Sequence, residues 1–334
     1  MLFWFGRRIL QSLFMIFFLL TAVFFVVRLA PGDPLDQAIE EEQIASDRDL
    51  MRQRMGLDQP LKKQYLSWLK AAVRGDFGES LQQQRPVTEI IVESLGPTLL
   101  LTVTAYFLII ILALAASLVM ASRPGTPVDH AIQTTGLAFY SVPGFWLALM
   151  FILLFSRQLG WFPAGGWESP DAKFFSTWAR ALDRGHHLVL PVATLVLGGF
   201  MGTARYLRTA LADVLSQDYI YAARARGLSQ RRVLLRHGLR NALLPLITLM
   251  GLNVPFLLGG ALIVEVVFGW PGMGQVTIEA IWARDYPVIM ATTIIAGIAV
   301  VLGSTLADVF YRWADPRLRL PDFGRESGGV HAGS

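Results

Sequence analysis

Six runs of about 20 mostly apolar residues constrain this chain more than any other feature, because each is long enough to cross a bilayer as a helix. They extend approximately from Ile9 to Val27, Thr98 to Ala121, Ala131 to Phe155, Leu188 to Thr203, Ala242 to Val264 and Val288 to Phe310. Lipid offers an open backbone no hydrogen-bond partner, so runs of this length must be helical. Composition agrees: 54% of the 334 residues are hydrophobic and 16% charged, against about 25% charged in soluble domains. The expected fold class is therefore an all-α polytopic membrane protein with six transmembrane helices. The fourth run is the weakest, being short and carrying Gly198, Gly199 and Gly202.

Charge placement supports six spans over five. Put the N-terminus, the loops after spans two and four, and the C-terminus on one side. That side holds 15 Lys+Arg against 7 acidic residues, Asp308 included, and everything else holds 14 against 18. The positive-inside rule makes the basic side cytoplasmic. Arg7-Arg8 before an apolar run also fits a cleavable signal peptide. The run is longer than a typical signal core and lacks a small-residue cleavage site, which favours a retained span.

On these boundaries residues 1–29 are the cytoplasmic N-terminus and helix one, and 30–97 an extracytoplasmic segment. Residues 98–311 are a core with helices two to six and a cytoplasmic loop at 205–241, and 312–334 are a Gly/Ser-rich tail. Segment 30–97 contains one amphipathic pattern, with Leu61, Tyr65, Trp68, Leu69 and Ala72 on one face, Asp58 placed to cap and Gly75 to terminate. A second outer loop spans 157–187. Its His186-His187 pair lacks clustered carboxylates and reads as solvated surface rather than a metal site.

The loop after span four is strongly basic. "RARGLSQRRVLLRHGLRN", residues 224–241, carries six arginines and cannot lie in lipid at about 3 kcal/mol per buried Arg. It reads as two short helices: "YIYAARAR", then a stop at Gly227 with positive φ, then a helix capped by Ser229. Arg232, Arg236 and Arg240 recur every four residues as one stripe. Ala222 and Ala223 leave the first helix thin. A basic amphipathic loop suits anionic headgroups; a glycine-broken pair with an alanine knob suits a protein groove, with Ala223 facing it. Residue chemistry alone leaves both open.

The same stretch resembles the cytoplasmic coupling loop of ABC-type permease subunits. Ala222, Ala223 and Gly227 fit the E-A-A-x-x-x-G pattern, with Tyr221 at the glutamate position, as in the dipeptide/oligopeptide/nickel branch. "RRILQSLFMIFFLLTAVFFVVRLAPGDP", "RGDFGESLQQQRPVTEII", "VEVVFGWPGMG" and "LADVFYRWADPRLR" resemble that branch in order along nearly the whole chain. The resemblance implies a type I ABC importer permease fold, with six helices and an extracytoplasmic segment between helices one and two. It implies a coupling loop, with Tyr221, Ala222, Ala223, Arg226, Gly227, Arg232 and Arg236 set in a groove of an ATPase subunit. The implied partners are a second homologous permease subunit, two ABC ATPase subunits, an extracytoplasmic substrate-binding protein and the lipid bilayer of a bacterial inner membrane, with no nucleic acid.

The chain has no cysteine, which excludes disulfides and thiolate chemistry. No G-x-x-x-x-G-K-[ST] is present, since none of its four lysines (Lys62, Lys63, Lys70, Lys173) follows a glycine. A non-catalytic subunit is expected, with no cofactor of its own and ATP and Mg held by the partner ATPases. Pro143, Asn253 and Glu265 are the candidates for lining a translocation path, Glu265 and Asp308 being charges at span ends. Pro143-Gly144, Pro191, Pro255 and Gly259-Gly260 allow kinks or close helix contacts, with ordinary packing the simpler reading. The expected function is half of an import path for di- or oligopeptides. Nickel or oligosaccharide cargo, or a non-transporting receptor or scaffold, are the alternatives.

Overall fold

The computed structural model describes residues 2–29, 58–243, 246 and 261–314. Apolar periodicity and span length dominate what forms: α1 (Leu2–Leu29), α3 (Val87–Ser122), α6 (Thr177–Leu215) and α11 (Tyr286–Ala314) are long helices. Each is apolar enough over its length to cross a membrane, and a bent pair, α4 (Pro127–Ser141) with α5 (Gly144–Phe151), makes a fifth candidate. Shorter helices complete the chain: α2 (Leu61–Ala72), α7 (Asp218–Ala225), α8 (Gln230–Arg232), α9 (Leu262–Phe268) and α10 (Met273–Trp282). The expected fifth span, 242–264, lies almost wholly outside the described residues, and with it Asn253, Pro255 and Gly259-Gly260.

α3 and α6 form the centre and run side by side in the same direction. Leu101, Ala105 and Ile109 pack with Leu190, Val192 and Val196; further along, Ala113 and Met120 pack with Met201, Ala204 and Leu207. Glycine permits the closest approaches. A Cβ on Gly199 would stand 3.1 Å from Ile109, and Gly136 on α4 leaves room for Met201. Two of the three glycines that made the fourth run look weak, Gly199 and Gly202, are thus where neighbours come near, while Gly198 faces open space. α4 runs antiparallel to α6, fixed where Arg208 Nη2 donates to the buried Asp129 carboxylate at 2.9 Å. α1 lies along α11, with Leu19 over Gly297.

Several expectations need correction. The third run is not one straight span: α4 and α5 meet at 99°. Val142 is extended (φ −81°, ψ 131°), as a residue preceding proline prefers, and Pro143 has no N–H to continue the helix. The second and fourth runs are much longer than the apolar windows suggest, 36 and 39 residues. α3 begins at Val87, inside the segment assigned outside the core. α6 continues to Leu215, so the loop starts at 216 and not at 205. Pro191 sits within α6 without breaking it. The amphipathic helix α2 forms as expected, with Tyr65 bonded to Thr21 at 2.7 Å and Phe24 at 5.3 Å from both the Tyr65 and Trp68 rings. Its N-cap is Pro60, with no side-chain cap, so Asp58 does not hold that role. Gly75 ends the segment with φ +78°.

Candidate functional site: the basic loop

α6 delivers the chain to a compact turn-and-helix element. Ile220 and Ala223, three residues apart on α7, face Val233 and bury with Leu215 and Leu228 against them. Gly227 has φ +79°, the left-handed region in which a Cβ is disfavoured, and turns the chain from α7 toward α8. Ser229 stands at the N-cap of α8, although its side chain makes no capping bond. α8 then widens into a π-helix, Val233–Leu239, a rare geometry often found at functional sites. Gly238 lets this π-helix sit against Leu215 and Leu211, and Asn241 Nδ2 donates to Tyr219 Oη at 2.8 Å, tying the element's two ends.

The outer surface is basic and unpaired. Tyr221, Ala222, Arg226, Arg232 and Arg236 are exposed, as are Arg224, Arg231 and Arg240. Among the described residues, no carboxylate forms an ion pair with any of these arginines. The Arg224 guanidinium lies 5.9 Å from the Tyr221 ring centroid. Ala223 is a correction: it is only 4% exposed and points into the element's own core. The small exposed residues on α7 are Ala222 and Ala225. The signal was present, since residues 220 and 223 share a helical face with an isoleucine.

The path candidates fall in different places. Pro143 is exposed at the break between α4 and α5. Glu265 is fully buried. Its carboxylate accepts from Thr98 Oγ1 (3.0 Å) and from the N–H groups of Gly274 (2.7 Å) and Gln275 (3.3 Å) in the first turn of α10. Thr98 in turn accepts from Met273 N–H at 2.7 Å. Trp270 Nε1 donates to the Pro97 carbonyl, and its ring meets Trp167 edge-on at 4.8 Å. Beside this corner, Glu168 accepts from Arg180 and Arg184. The Arg180 bond leads in holding the Glu168 carboxyl below its ordinary pKa. His187 is buried, against the expected solvated pair, with Nδ1 2.9 Å from the Asp183 carbonyl.

With this geometry in place, comparison with known proteins is decisive. Residues 113–320 match the family described as binding-protein-dependent transport system inner membrane component, and residues 1–102 match the N-terminal domain of such components. The chain belongs to this family. It is 40% identical over 313 residues to the oligopeptide transport system permease protein AppB of Bacillus subtilis (strain 168), covering 93% of this chain and 98% of that one. It is 37% identical over 313 residues to the glutathione transport system permease protein GsiC of Escherichia coli (strain K12), covering 94% and 97%. Among solved structures, a chain of the MetNI methionine ABC transporter in inward-facing conformations aligns with a TM-score of 0.50 and 18% identity. It covers 68% of this chain and 96% of that one, and shows the shared fold. This family member is thus a multi-pass inner-membrane permease subunit of an ABC importer.

Proposed function

We propose that this permease carries di- or oligopeptides delivered by an extracytoplasmic binding protein. It forms half of the path with a second, similar permease subunit, and two ATPase subunits drive it, holding the ATP and Mg. The relatives' names support peptide cargo. One observation carries the coupling role: a glycine-turned helix pair at the end of α6 holds arginines that no carboxylate among the described residues pairs with, and leaves Tyr221, Ala222 and Arg226 exposed. Six exposed arginines and the apolar packing beneath them suit an acidic protein groove. The π-helix and the shared core make the element stiff enough to pass a push into α6. In this reading the basic end is cytoplasmic, as are both termini.

The test uses the chain's lack of cysteine. Ala222→Cys should crosslink to an ATPase subunit in the assembled importer, while Arg231→Cys in intact cells should resist a membrane-impermeant thiol reagent. Labelling of position 231 from outside would reverse the topology. Absence of any crosslink from 222, with ATPases still co-purifying, would remove the coupling role from this loop.

A further inference from the structure

Two arginines one turn apart on α6 have different fates. Arg208 is held by Asp129; Arg205 is exposed, and no hydrogen bond or ion pair from its side chain is found among the described residues. Arg205 belongs to a stripe, Gly202, Arg205, Tyr206, Thr209 and Asp213, spaced as one helical face. The opposite face, Met201, Ala204, Leu207 and Leu211, is fully buried. With Tyr140 of α4 as a wall, the stripe lines a cavity of about 470 Å³, a size typical of small-molecule sites. The backbone carbonyl of Asp213 accepts from Ser216 and Gln217; its carboxylate has no partner among the described residues.

A guanidinium and a carboxylate on the same helical face, both lining one cavity and neither met by a side chain among the described residues, point to a bound ligand. The pair is balanced in charge, which suits a zwitterion better than a bare metal cation or a neutral sugar. Eight residues of helix separate Arg205 from Asp213 by about 12 Å. An extended tripeptide reaches about 10 Å between its ends, and the arginine side chain covers the difference. Resting on the peptide-importer reading above, we propose that this groove is an inner cargo subsite for short zwitterionic peptides. Arg205 takes the C-terminal carboxylate and Asp213 the N-terminal ammonium. Tyr140 and Tyr206 flank the backbone without selecting side chains, which fits cargo defined by its termini.

The experiment uses the complete importer in proteoliposomes, with trialanine, its C-terminal amide and its N-acetyl form as probes. Binding of each probe to the extracytoplasmic protein is measured separately, so that its preferences can be divided out. The wild type should favour free trialanine at the transport step. Arg205→Gln should lower free trialanine uptake about tenfold, the scale of one charge-assisted bond, and abolish the preference over the amide alone. Asp213→Asn should abolish the preference over the acetyl form alone, and Arg205→Lys should retain discrimination. Equal losses for all three probes would overturn the subsite and place the stripe against the second permease subunit. Normal uptake and preference in Arg205→Gln would overturn it as well. A wild-type importer that moves no peptide would instead defeat the peptide reading, and the subsite with it.

Discussion

The basic loop follows the last turn of α6, the corner around Glu265 packs beside its first half, and the two handle charge in contrary ways. In the corner, a carboxylate with no exposure meets three donors, two from the next helix and one 167 positions away, and glycines at 272 and 274 leave it room. In the loop, arginines face outward and no carboxylate among the described residues pairs with them. The first arrangement is complete in itself and fixes geometry. The second is stable only because its apolar underside is packed, and its charges remain for another molecule. Under the proposed coupling role, the corner is finished by the chain's own folding and the loop by assembly with a partner.

Glu265→Ala should have the largest effect. It strands the N–H groups of Gly274 and Gln275 and the Thr98 hydroxyl, at about 1–3 kcal/mol for each buried group left unmet. Thermal unfolding of the detergent-solubilised subunit should fall by several degrees, whereas Arg236→Gln should leave it nearly unchanged, within about 0.5 kcal/mol. Equal shifts for the two variants would end the contrast. An intermediate effect belongs to Gly227→Val, where a β-branched residue is forced to φ +79° at about 1–3 kcal/mol of local strain. The spans should melt as in the wild type while ATPase co-purification drops. Ala223→Glu should disturb the loop's own core, and Ala222→Glu only the contact with the partner. Co-purification unaffected by Ala222→Glu would separate the exposed face from docking.

The smallest effect sharpens the corner's boundary. The Glu168 carboxyl is held below its ordinary value by the Arg180 bond. Its contribution is therefore present above the unfolded carboxyl pKa of about 4.5 and lost as pH falls through the lower folded value. Glu168→Gln should narrow the stability difference from wild type only on acidification below that range, measured by melting at pH 7 against pH 3.5. The site is solvent-facing, so a large difference at pH 7 would mean that the outer loop is more tightly built than its exposure suggests.

Much of this was legible in the amino-acid order, for reasons that differ by element. α1 and α11 follow from hydropathy alone, and the Gly227 turn from a glycine between two helical patterns. The 99° break was signalled by Pro143-Gly144 yet invisible to a hydropathy window, which measures apolar length and not direction. The lengths of α3 and α6 were missed because their ends carry charged residues such as Glu89, Glu93 and Arg180 that leave lipid without leaving the helix. Glu265 was read as a path residue because its partner Thr98 is 167 positions away, and no local pattern announces such a bond. Arg205 and Asp213 share a visible i, i+8 face, but only the cavity beside it distinguishes that face from a solvated one.

The unbroken course of α6 has a mechanical meaning. Thirty-nine residues make a rod about 58 Å long, with the basic loop at one tip and the Glu168 contacts at the other. Pivoted at its far tip, such a rod turns a tilt of about 5° into a sideways stroke of about 5 Å at the loop, close to the rise of one helical turn. Torque applied at the loop therefore needs no relay of small rearrangements to be felt at the outer corner. Pro191 leaves one backbone bond unmade partway along, a point of slightly lower bending stiffness that sets how much of the stroke arrives.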